Sequence, residues 1–362
     1  MKRGIICILI CMLMISGTVI PISSKSISMP QPLTEGTILY VGGSGLGNYT
    51  KIQDAIDETN DGDTVFVYDD SSPYYENIVI NTTISLVGEN KNTTIIDGME
   101  NPENQIDVII IYADGVTVQG FTIQNSSYSD IGLFNDLYCG IEIWSDGNTI
   151  RGNIIVDNDY GIVLGSFGSN RFTRKYADNN IIEDNSITQN EYGISLLFGY
   201  KNVISNNYLS LNNWSMWILF RGDNTLIEFN TITLNNHGII LNGVKNVTIT
   251  HNTIVQNEGI GISIEYSKRI TVLENNIYEN TEDAYFYVFS FNFMGECMLN
   301  EFDGNYWGDA QQKPVLIPGK MYFVVLTGFV LRIQDFLNQN ATLFGIPLIK
   351  IDRHPAQTPY DI

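Results

Sequence analysis

The chain is poor in cysteine, histidine and basic residues. It has four cysteines in 362 residues, two of them (Cys7 and Cys11) at the N-terminus, which is too few for a disulfide framework. Nineteen Lys and Arg stand against 40 Asp and Glu, giving a net charge of −21 and a pI near 4.3. Nucleic acid and anionic membranes need basic patches, so this balance argues against both. It suits solubility, cation binding or a high-salt exterior. Copper prefers imidazole and soft sulfur, and the chain offers only His237, His251, His354 and two cysteines beyond its leader, Cys139 and Cys297. Charged residues make up 16% of the chain. The apolar stretch Met321–Ile349 is interrupted by Arg332 and Asp335 and is too broken for a membrane span.

What the chain has in quantity is asparagine, at a fixed interval. Asn185, Asn207, Asn230, Asn252 and Asn275 are spaced by 22, 23, 22 and 23 residues. Each is followed by Ile or Leu two residues on, and by a second asparagine five residues on (Asn190, Asn212, Asn235, Asn257, Asn280). Asn153 and Asn158 obey the same rule upstream. Such a period means stacked units, none of which buries its apolar face alone. Within a unit the apolar residues alternate, which is the strand period. Around Asn230, Ile227, Ile232, Ile239 and Leu241 face one way, and Glu228, Thr231, Thr233 and Ile240 the other. Three short strands and three corners per ~22 residues describe a rung of a parallel β-helix, an all-β solenoid. Stacked asparagines can bond to one another and to corner backbone. Gly161, Gly193 and Gly238, each three residues after a second asparagine, are expected to supply a left-handed or strained corner backbone.

The segment Asn185-Ser-Ile-Thr-Gln-Asn190-Glu-Tyr-Gly-Ile194 resembles the right-handed parallel β-helix repeat of the pectin-lyase-like superfamily, including NosD-type and carbohydrate-binding/sugar-hydrolysis domains. The resemblance covers roughly residues 38–310. Asn48–Asp57, Gly62–Val65 and Tyr75–Val79 resemble the entry segment of such proteins, where a short amphipathic helix caps the stack; Ile52, Ala55 and Ile56 form its apolar stripe. Asn305-Tyr-Trp-Gly308 and Ile351–Ile362 look like the end of secreted archaeal β-helix proteins.

Four regions are expected. Residues 1–22, with Lys2-Arg3 ahead of an apolar run over 4–22, read as a signal peptide or an uncleaved membrane anchor. Residues 23–36 are a linker, 37–310 the solenoid, and 311–362 a tail packing on it. Two rungs carry insertions, Ser126–Tyr138 and Ser166–Asn179, and loops projecting from a rigid stack commonly carry function. Seven Asn-x-Ser/Thr sequons are compatible with export, so the expected location is extracellular or at the cell surface.

The resemblance implies three functions. The first is non-catalytic binding of carbohydrate or another cell-envelope component. Tyr160, Tyr192, Trp214 and His237 share one repeat position and should form an aromatic ladder with ~4.8 Å steps, which either packs the corner or stacks on sugar rings. The second is a polysaccharide lyase or hydrolase. Hydrolases of the superfamily use several aspartates on adjacent strands, but the matching positions here are Val163, Ser195, Trp217, Ile240 and Ser263, with only Glu142 acidic. Lyase chemistry needs Ca²⁺ and a basic residue. Asp159 and Glu191 should stack ~5 Å apart, with Asp157 close by and Arg171, Arg174 and Lys175 in the second insertion. The third is a NosD-like copper-binding accessory role. Acids converging beside the Ser166–Asn179 loop favour the enzyme, paired His or Met on one face favour copper, and an exposed aromatic strip favours glycan binding.

Two further expectations follow from the rung count. Cys139 and Cys297 lie ~34 Å apart, too far for a disulfide. The outward columns Val163/Trp217/Ile240 and Trp144/Leu197/Leu219 form an apolar face, and the tail segment Met321–Ile349 is expected to fold back and cover it.

Overall fold

The computed structural model describes residues 36–98, 107–126, 137–167, 174–289, 299–308, 314–326 and 341–362. The leader 1–22, most of the linker 23–36, Arg171 and Cys297 lie outside these residues.

Each turn of chain contributes one strand to each of three sheets. The first sheet has 11 strands, from Ile38–Val41 to Glu301–Asp303; the second has nine, from Tyr74–Tyr75 to Asn276–Tyr278; the third has 11, from Ile78–Ile80 to Ala341–Asp352. Pairing is parallel and keeps one register. Ile227 lies between Ile204 and Ile249 in the first sheet, Ile232 between Leu209 and Ile254 in the second, and Ile239 between Met216 and Ile262 in the third. All nine of these side chains are wholly buried in one continuous core. The alternation read around Asn230 is thus the inside–outside alternation of the rung. Each buried Ile or Leu contributes about 1.5–3 kcal/mol relative to exposure.

The asparagines hold the corners. Asn153, Asn185, Asn207, Asn230, Asn252, Asn275 and Asn305 form one column between the first and second sheets. Asn207 is representative. Its backbone N–H and its Nδ2 both donate to Asn230 Oδ1 at 3.0 Å, and Nδ2 also donates to Ile182 O and Ser205 O at 2.8 and 3.0 Å. The column ends on Asp352, whose Oδ2 accepts from Asn305 N and Nδ2 and from Trp307 Nε1. A second column, Asn158 to Asn280, runs between the second and third sheets and ends on Asp283 Oδ1. A third, shorter column, Asn148–Asn180–Asn202, marks the remaining corner.

The corner glycines act differently from expectation. Gly161, Gly193 and Gly238 are absent from the positive-φ positions. They are small because a Cβ there would lie 2.5, 2.6 and 2.2 Å from the carbonyl oxygens of Gly193, Ser215 and Gly261 in the next rung. The left-handed backbone is carried instead by the residue before each ladder asparagine, including Asp184, Phe229, His251, Leu211 and Leu234, at φ of 54–59°. L-residues rarely adopt this conformation, and the saturated asparagine behind each one holds it in place.

Helix Ile52–Asp57 closes the N-terminal end, burying Ile52, Ala55 and Ile56. Its first N–H groups, of Ile52 and Gln53, donate to the two carboxylate oxygens of Glu76 at 2.8 and 2.9 Å. The tail corrects the expectation of a flap. Val315–Leu326 adds to the third sheet in parallel with Glu282–Phe289, and Ala341–Asp352 pairs antiparallel with Val315–Leu326. These two strands extend the sheet at its open end, while residues 327–340 of the expected flap lie outside the described residues. The reason is the row of unpaired N–H and C=O groups that the last parallel strand would otherwise present. The apolar face is itself buried. Val163, Leu197, Phe198 and Leu219 are at most 3% exposed and cluster with Cys139 and Tyr160, while Trp217 and Tyr192 pack at the edge.

Candidate functional site

The third sheet has the longest regular strands and the second insertion leaves from it, so its outer face is where chemistry can collect. Glu142, Val163, Ser195, Trp217, Ile240, Ser263 and Tyr285 form one outward column in strict register. Ser195 and Ser263 are buried in this column.

Glu142 does not stand alone. Asp107, just before strand Ile109–Ile111 of the preceding rung, is its electrostatic neighbour. Asp107 Oδ1 also accepts from Cys139 N at 2.8 Å. Both carboxyls are buried, Asp107 at 8% and Glu142 at 4% exposure. Burial pushes Asp107 well above the usual carboxylate range, and the neighbouring Glu142 charge adds to this. Burial also raises Glu142, opposed by the Trp144 indole, by Asp107 and by Ser166. Two neighbouring acids in a dry site disfavour double ionisation. The Cys139 thiol is pushed up by burial and by the two acids. It is a free thiol.

Two groups frame the pair. Tyr112 meets Trp144 edge-to-face, with centroids 5.2 Å apart at 85°. Lys175 Nζ lies 5.2 Å from the centre of the same indole. Lys175 belongs to a short hairpin in which Ser166–Phe167 pairs with Arg174–Lys175, the start of the second insertion. The acids therefore converge beside that loop.

The structure parts the candidates that sequence put together. Asp159 and Glu191 stack at the corner before strands Tyr160–Leu164 and Tyr192–Phe198, with Asp157 at an exposed left-handed corner position. Lys175 sits beyond the other end of that strand, about 20 Å away at ~3.3 Å per residue. Arg174 shares its short strand. Burial, with Glu191 adding, raises Asp159 to about 6. Glu191 Oε1 accepts from Asn213 Nδ2, and Asn213 Oδ1 from Asn236 Nδ2, so this corner column continues as amides. Among the described residues no group of three or more His, Cys, Asp or Glu is placed to hold a metal ion.

The aromatic ladder exists as spaced. Tyr160 and Tyr192 stack at 4.5 Å and 6°, Tyr192 and Trp214 at 6.2 Å and 13°, and Trp214 and His237 at 4.3 Å and 29°. The ring faces are turned to one another, so edges rather than faces meet the solvent. His237 Nδ1 is buried without a partner, and burial lowers that ring's basicity. His251, in contrast, lies in the asparagine corner beside Glu274, with Nε2 to Oε2 at 3.1 Å.

Asp107 was not visible in the sequence, because it lies 32 residues before its partner strand and outside the regular spacing. Glu142 was visible only as a lone acid in an apolar column.

The fold is shared with other proteins. The family description "Right handed beta helix region" matches residues 139–305. Among solved structures, the chain resembles the Azotobacter vinelandii mannuronan C-5 epimerase AlgE6 A-module at 14% identity, covering 71% of this chain and 81% of that one, with a TM-score of 0.51. It resembles pectate lyase Pel9A at 14% identity, over 70% and 75% of the two chains, with a TM-score of 0.52. It resembles XylC, solved with xylose, at 13% identity, over 70% and 69%, with a TM-score of 0.52. The fold is a right-handed parallel β-helix. No curated protein matches the sequence significantly.

Proposed function

We propose that the protein acts on a polysaccharide at the outer face of the third sheet, with Asp107 and Glu142 moving the proton. One observation carries this reading: two buried carboxyls on neighbouring rungs beside the second insertion, with Asp107 raised by burial and by the Glu142 charge. Glycoside hydrolysis by two carboxyls wants them ~5–9.5 Å apart, so that a sugar or a water fits between them. Neighbouring acids that cannot both ionise suit proton abstraction and return, which is the work of lyases and epimerases. In a β-elimination, the ionised carboxylate takes the proton α to a uronate carboxyl and the glycosidic C–O bond breaks. A proton then returns to the leaving oxygen, and a C=C bond remains in the product. Lys175, on the rim by Trp144, is a cation that can receive a substrate carboxylate. The pectate lyase and the mannuronan epimerase among the fold's relatives lend the reading support.

Binding without turnover is the second reading, and the closed state of the two acids favours it. On either reading we place the protein outside the cell or on its surface, with a glycan or another envelope component as partner; the leader-like run 4–22 and the acidic, histidine-poor composition support this. Turnover of polyuronates and neutral glycans, followed by ultraviolet absorbance of unsaturated ends and by reducing-sugar release, tests the first reading. Asp107→Asn and Glu142→Gln should each lower turnover by ~100-fold or more while retaining glycan binding. Binding by the unaltered protein with no product from any glycan decides for the second reading.

A further inference from the structure

Of the seven Asn-x-Ser/Thr sequons, six have their asparagine within the described residues. An enzyme that joins a sugar to such an asparagine must reach two groups at once, the Asn amide and the hydroxyl two residues on. Four of the six fail this test in the folded chain. Asn48 Nδ2 donates to Gly42 O and closes the loop that begins there. Asn125 Nδ2 donates at 2.8 Å to Oδ2 of the buried Asp97. Asn213 gives Nδ2 to Glu191 Oε1 and accepts from Asn236 Nδ2, and Ser215, which completes its sequon, is wholly buried. Asn92 is exposed, but Thr94 is wholly buried and its Oγ1 accepts from Asn90 N at 3.1 Å.

Asn81 and Asn246 pass, and both are exposed. Val247 points into the core, so Asn246 and Thr248 stand outward on either side of it. Asn246 Nδ2 donates to Asn224 Oδ1 at 3.1 Å, but both residues are exposed and water replaces such a bond at little cost. Thr83 Oγ1 donates to Asp114 O at 2.8 Å at the surface, and a hydroxyl that donates once still accepts. The two asparagines share the corner between the third and first sheets. Asn81 lies between Ile78–Ile80 and Ser85–Gly88, and Asn246 between His237–Asn242 and Thr248–Thr250. Six steps of ~4.8 Å along the third sheet set them about 29 Å apart.

We propose that Asn81 and Asn246 are N-glycosylation sites, and that Asn48, Asn92, Asn125 and Asn213 stay bare. The donor is an oligosaccharide carried on a lipid phosphate. Asn Nδ2 bonds to C1 of its first sugar, the C1–O bond to the phosphate breaks, the lipid phosphate leaves and the amide gives up one proton. Folded geometry makes the selection, so the sugar is added to the folded chain. Both glycans then line one corner and leave clear the corner before Tyr160–Leu164 and Tyr192–Phe198, where Asp159 and the aromatic ladder lie. The proposal rests on the location outside the cell given above.

The test is peptide mass spectrometry of the full-length protein purified from the cells that make it. Glycopeptides are expected at Asn81 and Asn246, and unmodified peptides at Asn48, Asn92, Asn125 and Asn213. Asn81→Gln and Asn246→Gln should each lower the intact mass by one glycan, and the double variant by two. A bare Asn81 or Asn246 overturns the proposal. A glycan on any of the other four overturns it as well, because it shows addition before folding. Labelling of intact cells with a membrane-impermeant amine reagent separates this result from the location. A bare protein that takes the label overturns glycosylation alone, and a bare protein shielded from it overturns the location too.

Discussion

Asp159 shows how one residue's surroundings set a property of the whole chain. Its carboxyl sits near 6 in the fold against 3.8 for an ordinary aspartate, because burial and Glu191 both oppose its charge. Between those two values the folded chain holds a proton that the unfolded chain has released. This contribution to stability therefore falls as pH rises from about 4 to about 6. Asp159→Asn removes the titration. The variant should be more stable than the parent at pH 7, equal to it near pH 4, and flatter between, as read from melting temperature against pH. The opposite order at pH 7 would mean that the Asp159 charge is better accommodated than its burial implies. At the same scale, glycine proved a poor guide to conformation here. The left-handed corners are held by Phe229, Leu234 and others, whose identity gives no hint of positive φ, while Gly161, Gly193 and Gly238 answer to a close backbone approach that only stacked rungs create.

Among the elements, the asparagine columns were legible because a side chain that bonds to its own copy must recur at the rung period. Two columns were read from that period. The third was not, since Asn148, Asn180 and Asn202 give way to Thr225 and Val247 in the rungs that follow, and three members in uneven spacing make no pattern. Each ladder amide satisfies several buried groups at once, so its loss cannot be absorbed locally. Asn207→Ala deprives Asn185 N and Nδ2 of an acceptor and leaves the Ile182 and Ser205 carbonyls without their donor. The expected loss is about 3 kcal/mol, measurable by urea unfolding. A loss below ~1 kcal/mol would show that water replaces the amide in the corner.

The solenoid is a one-dimensional stack, so its two ends need separate closure. Helix Ile52–Asp57 serves one end. The tail serves the other by imitating the next rung. Asp352 takes the place of the next ladder asparagine, Ala356 N donates to Asn305 O at 3.0 Å, and Asn276 holds both Tyr360 N and Tyr360 O through its amide. Deleting residues 353–362 should raise amide hydrogen exchange first in Glu301–Asp303 and Asn276–Tyr278, leaving the rungs around Glu142 protected. Uniform loss of protection along the stack would mean that the solenoid unfolds as one unit and not from its end.

Sequence by itself determined the rung, its three strands, its inward faces and the direction of stacking, because a solenoid repeats one local rule and the rule is written in every copy. It also placed the aromatic ladder, which is one repeat position read in successive turns. Only tertiary structure decided that Asp107 meets Glu142, that Lys175 leaves Asp159 and comes to Trp144, and that the tail continues a sheet. Each of these depends on how irregular segments span the distance between fixed rungs, and a period carries no information about the residues that depart from it.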